Sequence, residues 1–270
     1  MKYTLKQILA TRYDPGRSVS RKIEERLIPI NAIGKLLAPY PAYLYLNLGL
    51  KPDHITFISF LFIGAAAYFF VIGNPLVAVI SLLLFILHDS VDGDMARVRG
   101  ASSYGAIMDS FGADIFYSVV PVSVGYYLFS LNVSVYALTP SSILFLSALT
   151  SISFLFYRLT NTKILTFFWD KGGKEKTSVF DDVSEAGSPP GLFVRLAKIY
   201  HHTLIKGNFF AEPGIVTWIT ILALLKQWEF LGGYMILILL YNLGYLVPNF
   251  ARTYFSFLAY EKGVSREAGK

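Results

Sequence analysis

Six long apolar stretches, separated by polar connections, follow one another through most of the chain. They cover roughly 54–73, 75–97, 104–128, 142–168, 211–227 and 230–257. A helix that crosses a bilayer needs about 20 predominantly apolar residues. The pattern therefore predicts an all-α integral membrane protein with six transmembrane helices, of which the fifth is the shortest.

Composition supports this prediction. The 270 residues are 54% hydrophobic and 16% charged, whereas an ordinary soluble domain carries about 25% charged residues. The absence of cysteine excludes disulfides, cysteine nucleophiles and cysteine-ligated metal centres. The formal charge of +6 indicates membrane orientation and anionic lipid rather than a nucleic-acid partner.

The positive charges are distributed unequally between the two sides of a six-helix arrangement. Of 24 lysines and arginines, 23 fall on the side that carries both termini, and the exception is Lys226. Lysine and arginine accumulate on the cytoplasmic side of membrane proteins. The sequence therefore predicts cytoplasmic termini, and we expect a prokaryotic cytoplasmic membrane as the location.

Three regions lie outside the predicted spans. Residues 1–53 are expected to form a cytoplasmic and interfacial segment whose amphipathic part, at 21–47, is broken by Pro29, Pro39 and Pro41. Residues of about 169–210 form a cytoplasmic loop, for which a simple connector and a substrate lid are equally favoured. Residues 258–270 form a cytoplasmic tail, so the six-helix domain covers 54–257.

Five acidic residues are concentrated at the cytoplasmic ends of the second and third stretches. They are Asp89, Asp92, Asp94, Asp109 and Asp114. An acidic side chain within a spanning segment costs about 2.5–3.5 kcal/mol on insertion scales, and the two nearby arginines cannot neutralise five carboxylates. Clusters of oxygen ligands suit hard divalent cations, so Mg²⁺ or Mn²⁺ is the expected cofactor.

Helical spacing brings these carboxylates together in pairs. Asp89 and Asp92 are three residues apart on one helix face, and Asp109 follows Gly105 by four residues on the next helix. The short turn between the helices brings both ends together. Such an arrangement is suited to two metal ions that hold a diphosphate and align an attacking hydroxyl, while Arg97 pairs with phosphate oxygens.

The string Asp89-x-x-Asp92-Gly93-x-x-Ala96-Arg97, followed after seven residues by Gly105-x-x-x-Asp109, resembles the motif of the CDP-alcohol phosphotransferase family. Residues Pro52-Asp53-His54-Ile55-Thr56 are similar to the family's lead into its first span. The resemblance implies six core helices, cytoplasmic termini, an interfacial N-terminal helix, an active site that faces the cytoplasm and a homodimer.

The resemblance also implies a reaction and roles for residues. A substituted phosphate group would pass from a CDP-alcohol, such as CDP-diacylglycerol, to an acceptor alcohol in phospholipid biosynthesis, with release of CMP. The implied metal ligands are Asp89, Asp92, Asp109 and Asp114, and Asp114 would also be the catalytic base. The implied nucleotide-binding residues are Asp92, Gly93, Ala96, Arg97 and Gly105.

One departure from the motif concerns its last aspartate. The family places it four residues after the third aspartate, where this chain has Ala113, and Asp114 comes one residue late. In a regular α-helix this leaves Asp114 about 140° from Asp109, and a π-bulge near Gly112 would restore the expected face. The alternatives are another base, either Asp94 or His88, and an inactive relative that still binds metal or nucleotide.

Several other residues have two interpretations. Arg99, Tyr104 and Arg158 are candidates for binding a phosphorylated acceptor, although positive-inside charge explains the arginines equally well. His88 is expected to be a hydrogen-bonding neighbour, and Asp94 to be a solvated acid at a helix end. Glu212 is balanced between helix capping and function. A cation transporter is a less favoured alternative, because it predicts acids near the bilayer midplane.

Overall fold

The computed structural model describes residues 3–12, 28–100, 102–170, 209–244 and 246, and in this part of the chain it is helical without a named strand. The helices are α1 Leu5–Ala10, α2 Pro29–Leu37, α3 Pro39–Asn47, α4 Pro52–Val71, α5 Pro75–Arg99, α6 Ser103–Ser130, α7 Pro140–Asp170, α8 Glu212–Leu224 and α9 Trp228–Gly244. The predicted all-α class is thus confirmed for the described residues.

Helix boundaries follow from local sequence. Proline occupies the first position of α2, α3, α4, α5 and α7, where its missing N–H would have no intrahelical partner in any case. The side chains of Asn74 and Ser102 cap α5 and α6. The predicted breaks at Pro29 and Pro39 are helix starts, whereas the predicted break at Pro41 is wrong, because this residue lies within the first turn of α3.

Four helices are long and apolar enough to cross a membrane, over Pro52–Val71, Pro75–Arg99, Ile107–Ser130 and Pro140–Thr160. They correspond to the first four predicted spans. The fifth and sixth correspond to the shorter apolar helices α8 and α9; the 13 residues of α8 extend only about 20 Å, against about 30 Å of hydrocarbon. Six spans and cytoplasmic termini therefore remain predictions.

The long helices pack chiefly as α4 against α5, α6 against α7 and α4 against α6. Their buried faces form one apolar core, to which α8 and α9 add side chains. Large apolar side chains also point outward from each long helix, among them Phe57, Leu61, Ile80, Ile107, Phe145 and Ile152. Outward apolar surface on four helices of spanning length is what a lipid environment requires, and the chain is an integral membrane protein.

A short N-terminal helix, α1, was not predicted from the sequence. Thr4 and Gln7 form a capping box at its start, and Ile8 is fully buried with Leu46 of α3 and Val91 and Met95 of α5. This helix thereby packs against the end of α5 that carries the aspartates. The predicted loop at 169–210 and the tail at 258–270 lie almost entirely outside the described residues.

Candidate active site

Three of the predicted aspartates form a group at the adjoining ends of α5 and α6. Asp89 and Asp109 are exposed and Asp92 is half-buried. The carboxylates of Asp89 and Asp92 each interact repulsively with that of Asp109, and with one another. The positive charge of Lys35 on α2 attracts the carboxylate of Asp89. We call Asp89, Asp92 and Asp109 the aspartate group.

Thr56 of α4 contacts this group directly. Its hydroxyl donates a hydrogen bond of 2.7 Å to Oδ2 of Asp92, and the residue is 5% exposed. Thr56 belongs to the string that leads into the first predicted span, and the sequence alone indicates no role for it in the site. The threonine orients one carboxylate oxygen of Asp92, since a buried hydroxyl needs a hydrogen-bond partner.

The first turn of α6 is joined to the start of α4. Ser102 accepts a hydrogen bond of 2.8 Å from the N–H of Gly105 and donates one of 3.0 Å to Oδ1 of Asp53. A Cβ atom at position 105 would lie 3.0 Å from Asp53 Oδ1 and from Ser102 Oγ. Glycine at this position therefore has a packing reason, in addition to the nucleotide-binding role that the resemblance implies.

Asp94 is fully buried, so the expectation of a solvated acid is wrong. Its Oδ1 accepts a hydrogen bond of 2.8 Å from Nε of Arg12, and both Arg12 and Arg97 form ion pairs with it. Arg12 also donates to the backbone carbonyl of Lys35. A buried carboxylate loses its hydrogen bonds to water, and here two guanidinium groups take the place of those water molecules. We call Arg12, Asp94 and Arg97 the arginine–aspartate triad.

Arg97 keeps one side open towards the turn of α5 that carries Gly93. Its side chain is 40% exposed, and its Nη1 lies 3.5 Å from where a Cβ atom at Gly93 would be. A Cβ atom at position 93 would therefore be in van der Waals contact with the guanidinium. Gly93 and Arg97 thus present backbone and positive charge together, an arrangement suited to phosphate oxygens.

Asp114 faces away from the aspartate group. Because α6 is α-helical throughout Ser103–Ser130, the expected π-bulge is absent from it, and Asp114 stays about 140° around the helix from Asp109. Its Oδ1 is paired with Nε of Arg158 on α7. Nη2 of Arg158 donates to the carbonyl and the hydroxyl of Ser110, over 2.8 and 3.0 Å.

Glu212, at the start of α8, is a further acid near the group, and its role cannot be decided from the sequence. Its backbone N–H donates a hydrogen bond of 3.1 Å to the hydroxyl of Tyr117 on α6. Its carboxylate interacts electrostatically with Asp89, Asp109, Asp114 and Arg158. The Oε1 atom is buried and has no hydrogen-bond partner among the described residues.

Residues 50–180 match the family model of CDP-alcohol phosphatidyltransferase, and the match contains the aspartate group. This region of the chain is thus similar to the CDP-alcohol phosphatidyltransferase family. Within it α4, α5, α6 and α7 are the long helices that surround the site. Arg12 and Glu212 belong to segments before and after the matched region.

One curated relative is archaetidylinositol phosphate synthase of Pyrococcus horikoshii. It is 36% identical over 83 residues, which are 30% of this chain and 40% of the relative. The matching stretch thus spans less than half the length of that protein. No solved structure matches this chain.

The remaining predicted residues of the matched region make different contacts. His88 is confirmed as a hydrogen-bonding neighbour, since its ring nitrogens contact the Leu84 carbonyl at 2.8 Å and the Tyr45 hydroxyl at 3.3 Å. Arg99 donates to the carbonyl of Leu50 over 3.0 Å. Ala96 is half-buried and Tyr104 is exposed. Only Arg158, of the three candidate acceptor-binding residues, reaches another predicted site residue.

The aspartate group fits a divalent cation by its chemistry. Carboxylate and hydroxyl oxygens are the ligands that Mg²⁺ and Mn²⁺ prefer, and mutually repelling carboxylates are stabilised by a cation between them. Among the described residues, however, no three acidic or histidine side chains converge closely enough to form a ready cage. The group thus supplies suitable donors, spread over two helices, rather than a closed structural metal site.

Proposed function

We propose that this protein transfers a substituted phosphate group from a CDP-activated lipid alcohol to an acceptor alcohol and releases CMP, as a step of phospholipid biosynthesis. The match of residues 50–180 to the CDP-alcohol phosphatidyltransferase family carries this proposal. The gathering of Asp89, Asp92 and Asp109 at the ends of two long apolar helices supports it chemically.

The donor diphosphate would bind at the turn of α5. Asp89, Asp92 and Asp109 would hold Mg²⁺ or Mn²⁺, and Thr56 keeps Asp92 oriented for this through its hydrogen bond. A bound divalent cation would supply stabilisation of the charge that develops on the diphosphate. Gly93 permits close approach, and the exposed side of Arg97 would pair with the phosphate oxygens.

The acceptor would approach from the side of α7. The side chain of Arg158 is 27% exposed while it is paired with Asp114. Its guanidinium can therefore contact an anionic acceptor without breaking this ion pair. The name of the relative, archaetidylinositol phosphate synthase, denotes a product that contains an inositol phosphate. We therefore propose an inositol phosphate as the first acceptor to test, with Arg158 as the residue that binds its phosphate.

This proposal can be tested by measuring CMP release by the purified protein in detergent. CDP-diacylglycerol and its archaetidyl counterpart serve as donors, and inositol phosphate, inositol, glycerol phosphate and serine as acceptors, each with Mg²⁺, Mn²⁺ or a chelator. We expect CMP release that depends on both the acceptor and the divalent cation, and that is lost in Asp109→Asn. Absence of CMP release with every donor and acceptor contradicts the proposal.

A second candidate function is a non-catalytic relative that binds nucleotide or metal. The pairing of Asp114 with Arg158 favours it, because this pairing occupies the residue that the family resemblance makes the base. Binding of CDP, measured by calorimetry, together with absence of CMP release would support this candidate instead.

A further inference from the structure

The transfer needs a group that takes the proton of the acceptor hydroxyl, since an ordinary alcohol is a weak nucleophile. The sequence offers Asp114, Asp94 and His88 for this role. In the structure Asp114 is paired with Arg158, and Asp94 is fully buried between Arg12 and Arg97. Both ring nitrogens of His88 contact neighbouring groups. Each of the three is already engaged.

The face of α6 that carries Asp109 contains no second carboxylate. Residues four apart lie along one ridge of an α-helix, and the ridge that continues from Asp109 consists of Ala113 and Tyr117. Ala113 packs against the apolar core. The place at which the resemblance expects the last aspartate is therefore occupied by a methyl group.

Glu212 reaches this ridge from another helix. Its backbone N–H donates to the hydroxyl of Tyr117, four residues beyond Ala113. Its carboxylate interacts electrostatically with Asp89, Arg158, Asp109 and Asp114, but it forms no ion pair among the described residues, and its Oε1 is buried there without a hydrogen-bond partner. A buried carboxylate oxygen without a donor is costly, and the hydroxyl of an acceptor would supply that donor.

We propose that Glu212, rather than Asp114, is the general base, an inference that rests on the proposed function. The O–H bond of the acceptor breaks and its proton passes to the Glu212 carboxylate. The acceptor oxygen forms a bond to the phosphorus distal to cytidine. The bond between that phosphorus and the oxygen of the CMP phosphate breaks, and CMP leaves with the electron pair.

The experiment compares Glu212→Gln, Glu212→Asp and Asp114→Asn with the unmodified 270-residue protein in detergent. Glu229→Gln, an exposed acid at the start of α9, is the matched control. We measure kcat for CMP release, KM for the donor, CDP binding by calorimetry and the elution profile in gel filtration. A positioned base typically contributes about 10²- to 10⁴-fold to the rate.

We expect Glu212→Gln to lower kcat at least about 100-fold, with CDP binding and gel-filtration behaviour unchanged. Glu212→Asp recovers part of the rate because it restores a carboxylate, and Glu229→Gln matches the unmodified protein. Asp114→Asn keeps kcat within a few-fold while it lowers KM for an anionic acceptor, because it removes a negative charge and releases Arg158 from its ion pair.

Two results would overturn the inference while leaving the transferase intact. One is CMP release by Glu212→Gln at the rate of the unmodified protein. The other is a loss in Asp114→Asn as large as that in Glu212→Gln, in protein that elutes normally and binds CDP. Absence of CMP release from the unmodified protein would instead contradict the proposed function, so the two failures are distinguishable.

Discussion

At the scale of single residues, the same side-chain type serves different purposes within a few turns of helix. Asp94 is buried and paired with two arginines, whereas Asp89 and Asp109 are exposed and repel one another. Paired carboxylates stabilise the fold, and the mutually repelling ones are available for a cation or substrate. This contrast makes stability and activity separable by substitution.

We expect Asp94→Asn to destabilise the protein by about 3 kcal/mol, because removing one member of a buried ion pair leaves the other charges without compensation. Thermal unfolding in detergent checks this. Asp109→Asn is the control: it has no ion-pair partner among the described residues, so it should abolish CMP release without lowering the unfolding temperature. Equal unfolding temperatures for both variants would contradict the distinction.

At the scale of elements, small residues decide how closely α6 approaches its neighbours. A Cβ atom at Gly125 would lie 2.4 Å from Cβ of Ser147 on α7, and one at Gly112 would lie 2.6 Å from the ring of Phe60 on α4. Without a hydrophobic driving force between helices in lipid, close packing of this kind is what holds a bundle together. These glycines therefore contribute to the helix arrangement around the site.

Gly125→Ala should destabilise the bundle by about 1–3 kcal/mol, as expected when a group is inserted into a well-packed interior. Gly64→Ala on α4 is the matched control, because a Cβ atom there meets nothing within 4 Å; it should leave stability unchanged or raise it slightly. Thermal unfolding of both variants is the measurement, and a loss in Gly64→Ala equal to that in Gly125→Ala would contradict the packing argument.

Arg12 follows α1, lies outside the region that matches the family model, and pairs with Asp94 of α5. We expect Arg12→Gln to raise KM for the CDP donor by about tenfold, the size of one lost charged hydrogen bond, because Asp94 would then hold Arg97 more tightly. KM for the acceptor should not change. Lys6→Gln, at an exposed position of α1, is the control, and an equal rise in KM in that variant would show that this N-terminal segment acts through its charge alone.

At the scale of the whole molecule, three long helices separate the segment before α4 from the turn after α6. An odd number of crossings places these two segments on opposite sides of a membrane. The distribution of lysine and arginine predicts that the first of them lies in the cytoplasm. The aspartate group, at the end of the second crossing, would then lie on the cytoplasmic side.

The absence of cysteine allows this topology to be tested with single substitutions. In right-side-out vesicles we expect a membrane-impermeant maleimide to label Ser134→Cys and not Leu48→Cys, and in inverted vesicles the reverse. Both positions are exposed in the structure. Labelling of both variants in the same type of vesicle would contradict the prediction that three helices cross the membrane between them. Labelling of Leu48→Cys, and not Ser134→Cys, in right-side-out vesicles would contradict the predicted orientation.

Much of the fold and of the aspartate group could be predicted from the sequence, because both depend on local patterns. Apolar stretches of sufficient length specify the long helices, and helical spacing together with the short turn after Arg99 brings Asp89, Asp92 and Asp109 near one another. The partners of charged groups could not be predicted in this way, because paired residues such as Arg12 and Asp94 are 82 positions apart in the sequence. No local pattern encodes such a contact.

The sequence by itself thus determined that the chain is a helical membrane protein with clustered acids next to Arg97. Only the tertiary structure decided that Asp94 is buried, that Asp114 is paired with Arg158, and that Glu212 approaches the ridge of Asp109 from α8. The reason is physical: local spacing sets which face of a helix a residue occupies, whereas its neighbours depend on which helices pack against that face.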